Sequence, residues 1–238
     1  MPAPTEAEAP FWEDCLEIFY QPSAVFRRRE EDGFGLALLA LVVVMAILYF
    51  ATRSAMAPVF DAEFTRAMAA AARNDPRITP ETIEQSRGVM RQFAGVGVIG
   101  FFALGPLLVG LVLWMAGKLV EAKEGAGPAT MVAVYAFYPR ILEGVLNALQ
   151  ALLLPESQLT SRYSVTLGVG RFLDPDATSP LVLALVGRID VFTLWVTALL
   201  AIGLSVTGKV GRRPAAAVAG LVWLIGAIPG VIGALRQT

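Results

Sequence analysis

Histidine is absent from the 238 residues, and cysteine occurs once, at Cys15. The first absence removes every mechanism that needs an imidazole, including a Ser–His dyad, an H-E-x-x-H helix and a histidine-dependent phosphatase. The second removes a disulfide framework, and together they leave no His/Cys ligand set for zinc. Net charge is also lacking. Lys and Arg number 19 against 20 Asp and Glu, so no basic field exists to attract nucleic acid. What the chain does have is apolar surface. Hydrophobic residues make up 56% of it, against roughly 45–50% in a soluble domain, and mean hydropathy is +0.63. These values describe a membrane protein rather than a soluble enzyme, with membrane lipids as partners and no cofactor expected.

A helix needs about 20 mostly apolar residues to cross a hydrocarbon core of about 30 Å. By that rule the chain reads as all-α, a polytopic membrane helix bundle with five transmembrane helices and an extramembrane helical hairpin. The spans fall near 34–51, 94–117, 129–154, 181–207 and 215–235. Residues 1–33 form an N-terminal interfacial amphipathic segment, and 34–238 the membrane domain. The first span, "FGLALLALVVVMAILYFA", holds no charge. It is not expected to be a cleaved signal peptide, because roughly thirty residues with an acidic start ("PTEAEAP") precede it. The second span contains "GVGVIG", the G-x-G-x-x-G string of a dinucleotide site. That string requires a preceding strand, and here it opens an apolar helix. Small residues that let helices pack closely explain it better, as they do "GAIPG" (Gly226, Gly230) in the fifth span.

Three regions lie outside the spans. In "FWEDCLEIFYQPSAVFRRREEDG", Phe11, Trp12, Cys15, Ile18 and Phe19 share one helical side, and Glu13, Asp14 and Glu17 the other. This predicts either a helix lying in the membrane interface or one packed on the bundle. Cys15 reads as a small apolar residue on that helix. Between the first two spans, "NDPRITP" is a turn, with Thr79 as N-cap and Pro80 as first helical residue. The flanking parts predict a helical hairpin continuous with both spans. The third region, "PESQLTSRYSVTLGVGRFLDPDATSP", reads as a polar, irregular loop. Compact basic clusters, "RRR" before the first span and "GKVGRRP" between the last two, predict a cytosolic N-terminus, since positive-inside bias acts through short segments near span ends.

Charges inside apolar runs are the main functional signal. Arg140, Glu143, Asn147 and Gln150 are spaced three, four and three apart, on one helical face. Asp190, Thr193, Thr197 and Ala201 repeat that spacing in the fourth span. A charge at the bilayer centre costs at least about 2.5–3.5 kcal/mol, so such stripes face protein or water. With antiparallel spans, Arg140 and Asp190 lie about 6–8 Å apart in depth, within reach of an Arg side chain. The leading expectation is therefore an Arg140–Asp190 ion pair that fixes helix register. An Arg140–Glu143 pair with Asp190 protonated or wet is the alternative, and a proton- or ion-conducting role is a third. Arg188, two residues from Asp190, is expected on the opposite side of the helix, snorkelling to the interface. Pro139 predicts a kink, and because it has no N–H it should leave the Tyr135 carbonyl free. Pro106 and Pro229 should act alike. "GRID" is not the Gly-x-Gly-Asp of intramembrane aspartyl proteases, where Glu143 would have to be the second carboxylate.

"AVYAFYPRILEGVLNAL" resembles the third-span segment of the Yip-domain family (Ypt/Rab-interacting membrane proteins), with its tyrosine, small residues and proline. "RIDVFTLWVTALLAIGLSVTGK" resembles the family's Ile-Asp-x-Phe-x-x-Trp run and the Leu-x-x-Gly-Leu stretch after it. "FYQPSAVFRR" is similar to the Pro-x-x-x-Phe segment that opens many prokaryotic members. The resemblance implies five spans, a cytosolic N-terminus and, in eukaryotic members, association with prenylated Rab-type GTPases. The short arm before the first span fits a prokaryotic inner-membrane member better than a Rab partner. Two functions follow as expectations. One is a non-enzymatic scaffold or adaptor that binds other membrane proteins or shapes the bilayer, with a homo-oligomer compatible. The other is a small transporter or channel using Arg140, Glu143, Asn147 and Asp190. A scaffold should show these groups paired and dry; a transporter should show a wet cavity.

Overall fold

The computed structural model describes residues 10–75 and 77–235. Residues 1–9, which hold most of the acidic start "PTEAEAP", Pro76 of the predicted turn and the C-terminal residues from 236 lie outside them. Among the described residues every regular element is helical, and the one extended pairing is an isolated antiparallel bridge between Gly168 and Asp190. The helices are α1 (Phe11–Glu17), α2 (Pro22–Arg28), α3 (Gly35–Thr52), α4 (Ala57–Asn74), α5 (Pro80–Gly117), α6 (Ala126–Ala136), α7 (Pro139–Leu153), α8 (Pro180–Val186), α9 (Val191–Thr207), α10 (Arg212–Ile225) and α11 (Ile228–Leu235).

Among the described residues, three helical segments are long and apolar enough to cross a membrane: Gly35–Thr52, Pro80–Val120 and Arg212–Leu235. Their large side chains point outward. Ile47 is 64% exposed and Leu108 62%, a display that suits lipid and would be a liability in water. The other two predicted spans are each divided. The third breaks at Phe137–Tyr138 into α6 and α7, and the fourth breaks at 187–190 into α8 and α9. Pro139 therefore opens a new helix, in the first-turn position where its missing N–H costs nothing. The Tyr135 carbonyl, expected free, accepts the Tyr138 N–H at 3.1 Å. Pro106 instead sits inside the unbroken α5, and Pro229 falls in the first turn of α11.

The chain forms two compact units: Met1–Val43, Phe102–Pro139 and Trp195–Leu224 make one, and Val44–Phe101, Arg140–Leu194 and Ile225–Thr238 the other. In the first, Asp14 of the acidic side and Ile18 of the apolar side of the N-terminal segment are both buried. Asp14 is fully buried, ion-paired with Arg28 and, at 2.6 Å, with Arg29. Arg28 also pairs with Glu17. Two guanidinium groups closing on one carboxylate fold α2 back on α1 and make burial of the charge tolerable. Trp12, placed by periodicity on the apolar side, is 60% exposed. Cys15 contacts the Tyr138 hydroxyl at 3.6 Å, and Tyr138 donates to the Ala37 carbonyl at 3.0 Å. Burial pushes the Cys15 thiol above its ordinary pKa. Phe19 meets Trp195 edge-on at 5.8 Å.

The second unit holds the hairpin. Its second arm is continuous with the apolar part of α5, as expected, and Thr79 caps it by accepting the Thr82 N–H at 3.3 Å. The first arm, α4, is separated from α3 by a turn at 53–56. The segment 155–179 is not an idle loop. It packs Leu159 and Val165 against Val59 of α4 and Ala151 of α7, and it bonds back to the hairpin. Arg66 reaches Asp176 at 2.9 Å and the Thr160 carbonyl at 3.0 Å, and the Arg162 N–H donates to Glu63 at 3.0 Å.

Candidate functional site

Asp190 stands just before α9, and its position explains its charge. One carboxylate oxygen accepts the Phe192 and Thr193 N–H groups at 2.8 and 2.9 Å, and the other accepts the Thr193 hydroxyl at 2.6 Å. Those are the unpaired donors of a helix start, where a carboxylate is favoured both by hydrogen bonding and by the helix dipole. The preceding residues are held extended, with Val169 N–H on the Ile189 carbonyl at 2.9 Å. Gly168 is required there because a Cβ would stand 2.7 Å from that of Asp190.

Arg140, on the first turn of α7, makes its ion pair with Glu143 at 2.6 Å. Its other Nη donates to Thr193 Oγ1 at 3.0 Å. The expected direct Arg140–Asp190 pair is thus corrected. The Thr193 hydroxyl stands between them, accepting from the arginine and donating to the carboxylate. An Arg with a carboxylate one helical turn away on its own helix needs no interhelical reach. The series Glu143–Arg140–Thr193–Asp190 is continuous.

The remaining stripe residues are turned the same way. Gln150 donates to the Val165 carbonyl at 2.5 Å. Asn147 Oδ1 is buried with no hydrogen-bond partner among the described residues. Leu142, Val145, Leu146 and Leu149 on the opposite side of α7 are exposed, which gives an apolar outer face and a polar inner one. Gly144 shows how closely this helix approaches α3, since a Cβ there would lie 2.6 Å from the Leu48 side chain.

Glu143, Asn147, Asp190 and Thr193 line one cavity of about 400 Å³, together with Arg188 and Tyr163. Arg188 donates to the Gly226 carbonyl, at the α10–α11 turn, at 2.8 Å. Helical geometry does not apply to it because 187–190 is not helical, so two residues of separation from Asp190 do not place it on the far side. Tyr163 was not singled out by sequence reasoning. Its hydroxyl donates to the Leu183 carbonyl at 3.1 Å and accepts from Arg162 at 2.9 Å. Gly170 and Gly187 both press on its ring. A lone aromatic in a polar segment, flanked by glycines on two elements, was the available signal. Among the described residues no group of three or more His, Cys, Asp or Glu side chains is arranged to hold a metal.

A family profile for the Yip1 domain matches residues 16–233, from the end of α1 into α11. The chain belongs to the Yip1 family. No curated protein and no solved structure matches it. The match includes every residue of the polar cluster, and with the three long apolar helices it identifies an integral membrane protein of the Yip1 family.

Proposed function

We propose that this Yip1-family protein is a non-enzymatic scaffold or adaptor that binds other membrane proteins or shapes the bilayer, crossing the membrane five times with its N-terminus in the cytosol of a prokaryotic cell. The observation that carries the reading is the closure of the polar cluster on itself. Arg140, Glu143, Thr193 and Asp190 bond one another in series, and Arg188 is held by a backbone carbonyl. Groups so occupied fix the broken helices in register. Five crossings are supported by the contacts of the extramembrane segments. The 155–179 segment bonds to the hairpin at Arg66 and Glu63, while Lys123 N–H bonds the Gly208 carbonyl at 3.0 Å. With α5 crossing between the hairpin and Lys123, this reading returns the chain through α6–α7 and again through α8–α9.

A second reading, a small transporter or channel, is favoured by one observation: the cluster lines a cavity, and Asn147 keeps a buried acceptor without a partner. The two are separated by purified protein in sealed vesicles, combined with photo-crosslinking in native membranes. The scaffold reading expects proton and ion flux equal to that of empty vesicles, together with a defined set of crosslinked membrane proteins. Flux that Asp190→Asn abolishes without unfolding the protein would replace it with the transport reading.

A further inference from the structure

Away from the polar cluster, a groove of about 310 Å³ lies where α3 ends, α4 begins and α5 passes. Its floor is aromatic and apolar, from Tyr49, Phe60, Phe64 and Met90. Its rim carries Arg53, Arg87 and Arg91 against a single carboxylate, Asp61. Arg91 takes both Asp61 oxygens through one nitrogen, at 2.8 and 2.7 Å, which leaves its other donors available. Arg87 lies over the Phe64 ring at 4.8 Å and pairs with Asp61 at 3.4 Å. Arg53 is exposed and makes no ion pair among the described residues. Arg87 is also paired with Glu84 at 3.4 Å, so the groove keeps its excess of positive charge through Arg53 and Arg91. Asp61 does not neutralise further, because its hydrogen bond to Arg91 holds its carboxyl below the ordinary range and keeps it at one full charge.

The groove's depth is set by the helices beneath it. Arg53 follows directly on the last residue of the α3 span. Arg91 and Arg87 precede the apolar part of α5, from residue 94, by three and seven residues, about 4–10 Å at 1.5 Å per residue. The guanidinium groups therefore stand at headgroup level, with apolar surface continuing beside them: Phe50, Phe60, Met90 and Phe93 are each about half exposed. A phosphate needs Arg donors, and an acyl chain needs an adjoining apolar track; this surface supplies both. A soluble anion would use only the rim.

We propose that the groove between the end of α3, the start of α4 and α5 is a binding site for an anionic phospholipid, its phosphate held by Arg53 and Arg91 and its chain laid along Phe60, Phe64 and Met90. The site rests on α3 and α5 crossing the membrane and is independent of the scaffold reading.

The test is native mass spectrometry of the purified full chain with phosphatidylglycerol, phosphatidylcholine and inorganic phosphate. The expected result is retention of phosphatidylglycerol over phosphatidylcholine, falling roughly fivefold for each of Arg53→Gln and Arg91→Gln. Arg73→Gln, on an exposed arginine outside the groove, should leave it unchanged. Asp61→Asn removes the competing carboxylate and should raise retention, a gain that structural damage does not produce. If the arginine variants fail to fold, Asp61→Asn alone decides. Equal retention of the two lipids, indifference to Arg53 and Arg91, or no gain with Asp61→Asn would each overturn the site. Displacement of the lipid by millimolar inorganic phosphate would leave an anion site only and overturn the lipid assignment.

Discussion

At the scale of single residues, the apolar chain's interior charges have individual reasons for being there. Asp190 starts a helix, Arg140 answers Glu143, and Asp14 is the anchor that draws Arg28 and Arg29 together. The consequence is measurable as coupling. Arg140→Gln strands the half-buried Glu143 and should destabilise by the lower part of the about 3–5 kcal/mol seen for broken buried pairs, because both side chains keep some exposure. Arg140→Gln with Glu143→Gln should recover much of that loss. Asp190→Asn keeps an acceptor for the α9 N–H groups and should cost less than Asp190→Ala, which removes a cap at about 1 kcal/mol or more. In detergent melts, the Arg140/Glu143 coupling should exceed the Arg140/Asp190 coupling; the reverse order would show that Thr193 is no real intermediary. Glu124 gives a pH prediction. Both its carboxylate oxygens are buried without a hydrogen-bond partner among the described residues, because Lys118 Nζ is taken by the Ala122 and Glu124 carbonyls at 3.0 and 2.8 Å. Burial raises its pKa above the ordinary 4.5. The folded state therefore binds the proton more tightly than the unfolded one, and this group's contribution to stability falls as pH rises from about 4.5 through the raised value. Glu124→Gln should raise the Tm at neutral pH and flatten its decline from acid to neutral conditions; a lowered Tm at neutral pH would contradict this.

At the scale of elements, the legible features were those decided locally. The charge-free α3 follows from composition, the α5 start from Thr79–Pro80, and the inward stripe of α7 from its spacing. The breaks were harder to read. Hydropathy sums over a window, so α6–α7 and α8–α9 look continuous although each is interrupted. Yet each break carries a mark: Pro139 disfavours the helical conformation of the residue before it, and Gly187 sits at the close approach to Tyr163. What the sequence does not display is the partner that makes a break stable. For 187–190 that partner is the Gly168 bridge, contributed by a segment that reads as loop. Matching polar stripes and similar depth suggest direct Arg140–Asp190 pairing, but neither is contact when a hydroxyl stands between. The break itself can be tested. A Cβ at position 187 would stand 2.6 Å from the Leu183 carbonyl oxygen and push into the Tyr163 ring. Gly187→Ala should therefore cost about 1–3 kcal/mol as overpacking, although its φ of −62° and ψ of −14° are open to alanine. Tyr163→Phe should lose about 1 kcal/mol with its hydroxyl bond. A stabilised Gly187→Ala protein would show that α8 and α9 can fuse, and that the break is not held by Tyr163.

At the scale of the whole molecule, membership of the Yip1 family and three long apolar helices make this an integral membrane protein, and the number of crossings decides how the rest is understood. With only Gly35–Thr52, Pro80–Val120 and Arg212–Leu235 crossing, everything from 121 to 211 would stay on one side, and the polar cluster would be a watery surface feature. With five crossings, α7 and α9 carry their charges into the bilayer, and the bonding of those charges to one another becomes a requirement of solvation. Counting the termini does not discriminate, since three and five are both odd. The positions of the short connections do. Ser157, Arg73, Lys123 and Lys209 are exposed, so a cysteine at each is open to reagent. Each cysteine is placed singly in a Cys15→Ser background and labelled in intact, oriented vesicles with a membrane-impermeant maleimide. Five crossings predict that Ser157→Cys and Arg73→Cys label from one side, and Lys123→Cys and Lys209→Cys only from the other. Labelling of Ser157→Cys from the same side as Lys123→Cys would contradict the account.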